Sequence, residues 1–171
     1  MTASDFKQTV LPSAQAMHRT AWRLTGGVQQ EAEDLVQETF LRLWQKRDAL
    51  VAVSNVEAYC QAAVRNVYLN SLRHRQPDVA DASEEILAAK ADTADLQWAL
   101  EERDEAALMH ALIARLPQMQ RLAVTLRDIE GLEHADIARQ LNMAEGAVRV
   151  LLSRARKQLR EQFTHFSNYG R

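Results

Sequence analysis

The sequence predicts an all-α protein of two small helical domains joined by an acidic linker, with a helix-turn-helix in the second domain. Three observations favour this architecture. Apolar residues recur at helical spacing along most of the 171-residue chain. Only 5 glycines and 3 prolines are present, which argues against an all-β or low-complexity chain. Acidic residues concentrate in one central segment, so we place the domains at 1–76 and 105–171 and the linker at 77–104.

The first domain contains three predicted helices. The first covers about 6–24, with Pro12 starting or kinking it and Gly26-Gly27 ending it. The second, 29–45, has the clearest helical period, and acidic residues in its first turn suit the helix dipole. The third runs from about 55 to 75, with Ser54 as its N-cap and Pro77 ending it. We expect its inward face to contain Val56, Tyr59, Ala63, Val67 and Leu69.

The second domain begins with an apolar stripe of Leu108, Ala111, Leu112 and Leu116. Pro117 suits the first position of the next helix, which Gly131 ends. Two shorter helices are predicted at about 134–141 and 145–162, separated by the turn 142–144. A small residue at Ala138, a left-handed Asn142 and an apolar Val148 fit a helix-turn-helix, whose second helix enters the DNA major groove.

The second helix of this motif has an apolar and a basic face. Val148, Leu152, Ala155 and Leu159 form the inward stripe, and residues 145–160 contain five basic residues and one acid. Such a face neutralises phosphates and can reach guanine bidentately, whereas a solvated basic helix is the simpler interpretation. The candidate DNA contacts on this helix are Arg149, Val150, Ser153, Arg154, Arg156 and Lys157.

Two further surfaces lie in the first domain. Asp34, Gln37, Glu38 and Leu41 recur on the outer face of the second helix, and a leucine there is a mild sign of a docking surface. The third helix ends in interleaved Arg, Asn and Tyr residues. These suit contacts to phosphates and unstacked bases, although a basic helix C-terminus that complements the dipole explains them equally well.

The charge distribution is uneven although the net charge is only −2. Residues 1–76 sum to +2, residues 77–105 to −8 and residues 106–171 to +4. This asymmetry indicates an anionic partner for at least one end of the chain, and solvated helix surfaces are the alternative.

Several functional classes are excluded by composition. Cys60 is the sole cysteine, so an internal disulfide or a cysteine-based zinc cluster is ruled out. The five histidines lack metal-ligand spacing, and no nucleophile–base arrangement or phosphate loop is present. We therefore expect no catalytic site, no cofactor and no metal. Without a signal sequence or an apolar run of about 18 residues, we expect a cytoplasmic protein without membrane insertion.

Taken together, these segments resemble the extracytoplasmic-function (ECF) group of the bacterial sigma-70 family over roughly residues 5–163. The run 31–44 is very close to the family's core-polymerase-binding helix. Arg65-Asn66 with Asn70 and Arg73 resembles the end of its promoter-melting helix. The runs 116–131, 136–138, 146–149 and 153–156 are similar to its C-terminal domain.

The resemblance implies a non-enzymatic promoter-specificity subunit of RNA polymerase. Its partners would be the clamp helices and flap of core polymerase, promoter DNA and an anti-sigma factor. The implied polymerase contacts are Asp34, Gln37, Glu38, Leu41 and Trp44. The implied contacts to the minus-ten element are Asn55, Arg65, Asn66, Asn70, Arg73 and Arg75, beside the loop 47–55. The C-terminal helix-turn-helix would read the minus-thirty-five element, and the linker would run toward the active-site and RNA-exit channels.

The chain departs from the family pattern at several positions. Ala144 replaces the usual serine cap of the recognition helix, and Val150 stands where polar or basic residues are common. Residues 47–54 are unusually apolar for a base-reading loop. Two other classes stay open at this stage: a helix-turn-helix regulator that binds duplex DNA without polymerase, and a helical protein-interaction module.

Overall fold

The computed structural model describes residues 1–75, 97, 100–101 and 104–169, and in this part of the chain the regular structure is helical. The described helices form two compact units. The first unit contains α1 (Ala3–Val10), α2 (Ala14–Leu24), α3 (Gln29–Gln45) and α4 (Val56–Arg75). The second contains α5 (Glu105–Ala114), α6 (Gln118–Val124), α7 (His134–Leu141) and α8 (Glu145–Tyr169). The all-α prediction is confirmed, whereas most of the linker predicted at 77–104 lies outside the described residues.

The first unit is built around α2, which packs against both α3 and α4. Its buried core includes Met17, Leu24, Val36, Cys60 and Val64. A 3-10 turn, Leu11–Ser13, interrupts the helix predicted at 6–24, and the break lies at Pro12, where the sequence indicated a start or a kink. Pro12 has no backbone N–H and cannot donate the hydrogen bond that would continue α1 without interruption.

The start and the inward face of α4 differ from the prediction. Ser54 is not the N-cap: the Asn55 side chain accepts a hydrogen bond from the Ala58 amide at 3.0 Å and occupies that position. Tyr59 is 37% exposed and Ala63 is only half-buried, whereas Cys60 and Val64 are fully buried. The buried stripe therefore lies one residue further along the helix than the spacing indicated. Val67 and Leu69 are buried as predicted.

The second unit packs α8 against α5, α6 and α7. Its core cluster includes Leu112, Leu116, Leu126, Ile137, Val148 and Leu152. Pro117 is the residue before α6 rather than its first helical residue, with ψ at 145°. After α6 the chain continues as a π-helical turn, Thr125–Ile129, in which the Glu130 amide donates to the Thr125 carbonyl at 3.0 Å. This wider turn was not predicted from the sequence.

The turn between α7 and α8 has the conformation that the sequence predicted. Asn142 lies in the left-handed region, with φ at 53° and ψ at 52°. The next amide, that of Met143, donates to the Ala138 carbonyl at 2.9 Å, so the last turn of α7 is closed by a hydrogen bond. The bounds of α7 and the start of α8 at Glu145 agree with the prediction, whereas α8 continues to Tyr169, beyond the end predicted near residue 162.

The left-handed Asn142 generates the first prediction. Replacing Asn142 with Ala adds the steric cost that this conformation imposes on most side chains, and we expect a loss of about 1 kcal/mol of unfolding free energy. Asn142→Gly is the matched control and should be close to neutral, because glycine adopts this conformation without strain. Urea denaturation followed by circular dichroism measures both variants. Equal stabilities for Asn142→Ala and the parent chain would contradict the proposed role of the turn.

Candidate nucleic-acid interface

The second helix of the helix-turn-helix, α8, has its apolar and its polar side chains on separate faces. Val148, Leu152, Ala155 and Leu159 are buried as predicted, and Leu151 is also only 8% exposed. All six candidate DNA contacts on α8 are exposed, including Val150 at 48%. The fold therefore brings Arg149, Val150, Ser153, Arg154, Arg156 and Lys157 to one solvent-facing surface.

Two of these arginines are engaged by carboxylates. Arg149 lies 3.6 Å from Glu145, one helical turn earlier, in an exposed pair. Arg156 makes a bidentate pair with Asp128: Nε donates to Oδ2 at 3.0 Å and Nη2 donates to Oδ1 at 2.5 Å. The hydrogen bonds that Arg156 donates to the Asp128 carboxylate raise the pKa of Arg156 above its usual value. Asp128 was not predicted from the sequence, because nothing in a helical period shows that the π-helical turn faces α8.

The candidate docking face on α3 is exposed along its length. Leu41 is 60% exposed, and Asp34, Gln37 and Glu38 are also exposed. Its polar side chains are tied by bonds within the helix: Arg42 donates to Glu38 at 2.7 Å, and Gln30 donates to Asp34 at 3.0 Å. The surface is therefore an ordered polar helix face with one central apolar side chain.

Trp44, at the end of this face, is fixed by two aromatic contacts. Its ring meets the Phe6 ring edge-on at 5.2 Å, and the Arg47 guanidinium lies over it at 4.3 Å. Arg47 Nη1 also donates to the Trp44 carbonyl at 3.1 Å. Trp44 is 36% exposed, so it both packs within the unit and presents an edge to solvent.

The candidate minus-ten residues lie along α4 with different degrees of exposure. Asn66 and Arg73 are exposed, Asn70 is half-buried, and the side chain of Arg75 lies outside the described residues. Arg65 is also half-buried, and this burial lowers the pKa of its guanidinium. Asn55 uses its side-chain oxygen to cap α4, a structural role that the resemblance did not indicate.

The apolar segment before α4 is a 3-10 turn, Arg47–Ala52, rather than an irregular loop. Leu50 is only 2% exposed and anchors the turn in the core, whereas Val51 is 73% exposed. The turn therefore presents an apolar side chain next to the start of the candidate melting helix.

Within the part of the chain that the structure describes, no helix is long and apolar enough to cross a membrane. The same residues contain no group of three His, Cys, Asp or Glu side chains that could hold a metal ion.

Comparisons with known proteins match both units. The family model for sigma-70 region 2 matches residues 11–77, and the model for sigma-70 region 4 matches residues 106–159. The ECF RNA polymerase sigma factor SigM of Mycobacterium tuberculosis (strain ATCC 25618 / H37Rv) is 32% identical over 143 residues, which are 84% of this chain and 69% of SigM. The chain belongs to the ECF group of the sigma-70 family.

Two further similarities extend over almost the whole of this ECF sigma factor. SigE of Mycolicibacterium smegmatis is 30% identical over 165 residues, covering 96% of this chain but only 63% of SigE. The sigma factor RpoE of Bartonella quintana, solved in complex with the anti-sigma factor NepR, has 29% identity and a TM-score of 0.54. That match covers 93% of this chain and 96% of RpoE.

The cap at the start of α4 generates a prediction. Asn55→Ala removes the side chain that accepts from the Ala58 amide, so we expect the unfolding free energy to fall by about 1 kcal/mol. Ser54→Ala is the matched control and should change it by less than about 0.5 kcal/mol. Thermal and urea unfolding of the two variants checks this. A larger loss for Ser54→Ala than for Asn55→Ala would reverse the assignment of the cap.

Proposed function

We propose that this sigma factor binds core RNA polymerase, directs it to a specific class of promoters and promotes promoter melting, without catalysing a reaction itself. The observation that carries the proposal is the combination of two surfaces on separate units. One unit presents the α3 face around Leu41, and the other presents the basic face of α8. A protein that only binds duplex DNA needs the second surface but not the first.

The proposed polymerase contact is the α3 face, Asp34, Gln37, Glu38 and Leu41, together with the exposed edge of Trp44. The clamp helices of the largest polymerase subunit are its proposed partner, and the flap is the proposed partner of the second unit. Leu41 supports this assignment, because a 60% exposed leucine surrounded by ordered polar side chains is suited to burial against a partner.

The two DNA contacts have different chemistry. We assign the minus-thirty-five duplex to the exposed face of α8, where arginines can pair with phosphates and guanines. We assign the minus-ten element to α4 and to the 3-10 turn Arg47–Ala52, which presents the exposed Val51. The proposed contacts on α4 are Arg65, Asn66, Asn70 and Arg73. Extruding a base costs a few kcal/mol, which stacking and hydrogen bonds in such a site must offset.

Control by an anti-sigma factor is part of the proposal. The similar Bartonella quintana sigma factor RpoE was solved in complex with the anti-sigma factor NepR. A comparable partner would act on this chain by covering the α3 face or the basic face of α8, because either one is needed for a productive polymerase complex.

The function is tested by transcription in vitro on fragmented genomic DNA, with core polymerase in the presence and absence of this protein and with RNA 5′ ends mapped. We expect new start sites that share two spaced upstream motifs. Tight binding to duplex DNA without new starts would instead favour the helix-turn-helix regulator, the second candidate class. Binding to neither DNA nor polymerase would favour a protein-interaction module.

The polymerase contact is tested separately with Leu41→Asp. A buried carboxylate in the interface would be unpaired, so we expect polymerase binding to fall by at least about 100-fold with the fold intact. Leu11→Asp is the matched control, since Leu11 is 55% exposed in the same unit but lies outside α3. Pull-down with core polymerase and circular dichroism measure binding and folding. Full binding by Leu41→Asp would show that this docking surface is wrong.

A further inference from the structure

One side of α8 lines an open depression in which three of the candidate DNA contacts lie beside Arg160 and His134, two residues with no role assigned above. Arg149, Ser153, Arg156 and Arg160 follow one another at intervals of four, three and four residues, so they line one edge of the helix. Together with Leu152 and His134, the first residue of α7, they enclose a cavity of about 280 Å³. Both helices of the helix-turn-helix therefore contribute side chains to the same depression.

The lining of this cavity is suited to an anion. Three guanidinium groups, an imidazole and a hydroxyl surround it, with Leu152 as the apolar wall. The depression is open to solvent, so an anion on the surface of a larger molecule can reach it. Guanidinium groups are well matched to phosphate oxygens, which they bind with paired hydrogen bonds.

Asp128 controls the direction of one of these guanidinium groups. Its carboxylate engages Nε and Nη2 of Arg156, a pair that does not use Nη1. A long arginine side chain loses rotamer entropy when it binds a ligand, and a partner that already holds it reduces that cost. Asp128 belongs to the π-helical turn Thr125–Ile129, so a residue outside α8 holds the side chain of Arg156.

We propose that this cavity binds one backbone phosphate of the promoter duplex, and that Asp128 is a positioning residue that presents Arg156 to it. This inference rests on the proposed function. It assigns the residues on the exposed face of α8 to two groups, one for the DNA backbone and one for the base edges. Arg149, Ser153, Arg156 and Arg160 fix the register of the helix on the backbone. Val150, Arg154 and Lys157 lie about 100° further around α8 and are directed to the base edges.

The phosphate site is tested with Arg160→Gln in the complete holoenzyme, using a promoter fragment identified by transcription and a fragment of unrelated sequence. Each lost phosphate contact reduces the slope of log K against log salt by about 0.9. We therefore expect weaker binding to both fragments by a similar factor. The deficit should shrink about threefold to fourfold between about 50 and 200 mM salt.

Arg115→Gln is the matched control, because Arg115 is a cation of the same unit that lines a different cavity. It should leave the salt slope unchanged. If Arg160→Gln also leaves the slope unchanged, or if it alters the order of preference among minus-thirty-five variants, the phosphate site is wrong. If the parent holoenzyme does not distinguish the two fragments, the proposed function is wrong. The change in salt slope on Arg160→Gln still shows whether the cavity binds a phosphate.

The positioning role of Asp128 and simple charge repulsion predict opposite changes in DNA affinity when the carboxylate is removed. Removing an acid near DNA ordinarily strengthens binding, whereas Asp128→Ala should weaken it severalfold if the carboxylate positions Arg156. The double variant Asp128→Ala/Arg156→Gln should then bind no more weakly than Arg156→Gln alone. Tighter binding by Asp128→Ala would overturn the positioning role, and circular dichroism shows whether each variant is folded.

Discussion

The burial of one apolar stripe on α8 decides which side chains this sigma factor presents to solvent on its proposed DNA-binding face. Val148, Leu152, Ala155 and Leu159 are removed from water, and full burial of each leucine is worth about 2 kcal/mol. A rotation of α8 that exposed them would lose this energy, so the helix has one favourable orientation. The positions of its arginines follow from that orientation. If this face reads promoter DNA as proposed, its specificity depends on core packing as much as on the polar residues themselves.

The helix-turn-helix could be predicted from the sequence because its signals are local. Period-3.6 patterns identify the faces of α7 and α8, and Asn142 is one of the few residues that tolerates the left-handed turn. The Asp128–Arg156 pair could not be predicted, because the two residues are 28 positions apart and the π-helical turn changes the register between them. Local patterns do not determine which side of α6 meets α8.

In the first unit too, a local pattern was not enough to predict which face of a helix is buried. The bounds of α3 and α4 were close to the prediction, but the buried face of α4 was misplaced: Tyr59 is 37% exposed, whereas Cys60 and Val64 are buried. The face of α4 is chosen by contacts with α2 and α3, which a single helical pattern does not contain. Ser54 was predicted as the cap of α4, but Asn55 is the observed one. Serine and asparagine are both good N-cap residues, so the sequence alone does not choose between these two neighbours.

The proposed division of contacts explains why this chain would need both units to select a promoter. The α3 face offers one exposed leucine, the 3-10 turn offers Val51, and α8 offers few base-reading groups. None of these is a large interface, so each alone would bind weakly. When core polymerase holds both units on one promoter, the second contact becomes intramolecular and its effective concentration rises. A few modest contacts at two separated elements then suffice for discrimination, and a partner that covers either surface removes the advantage of both.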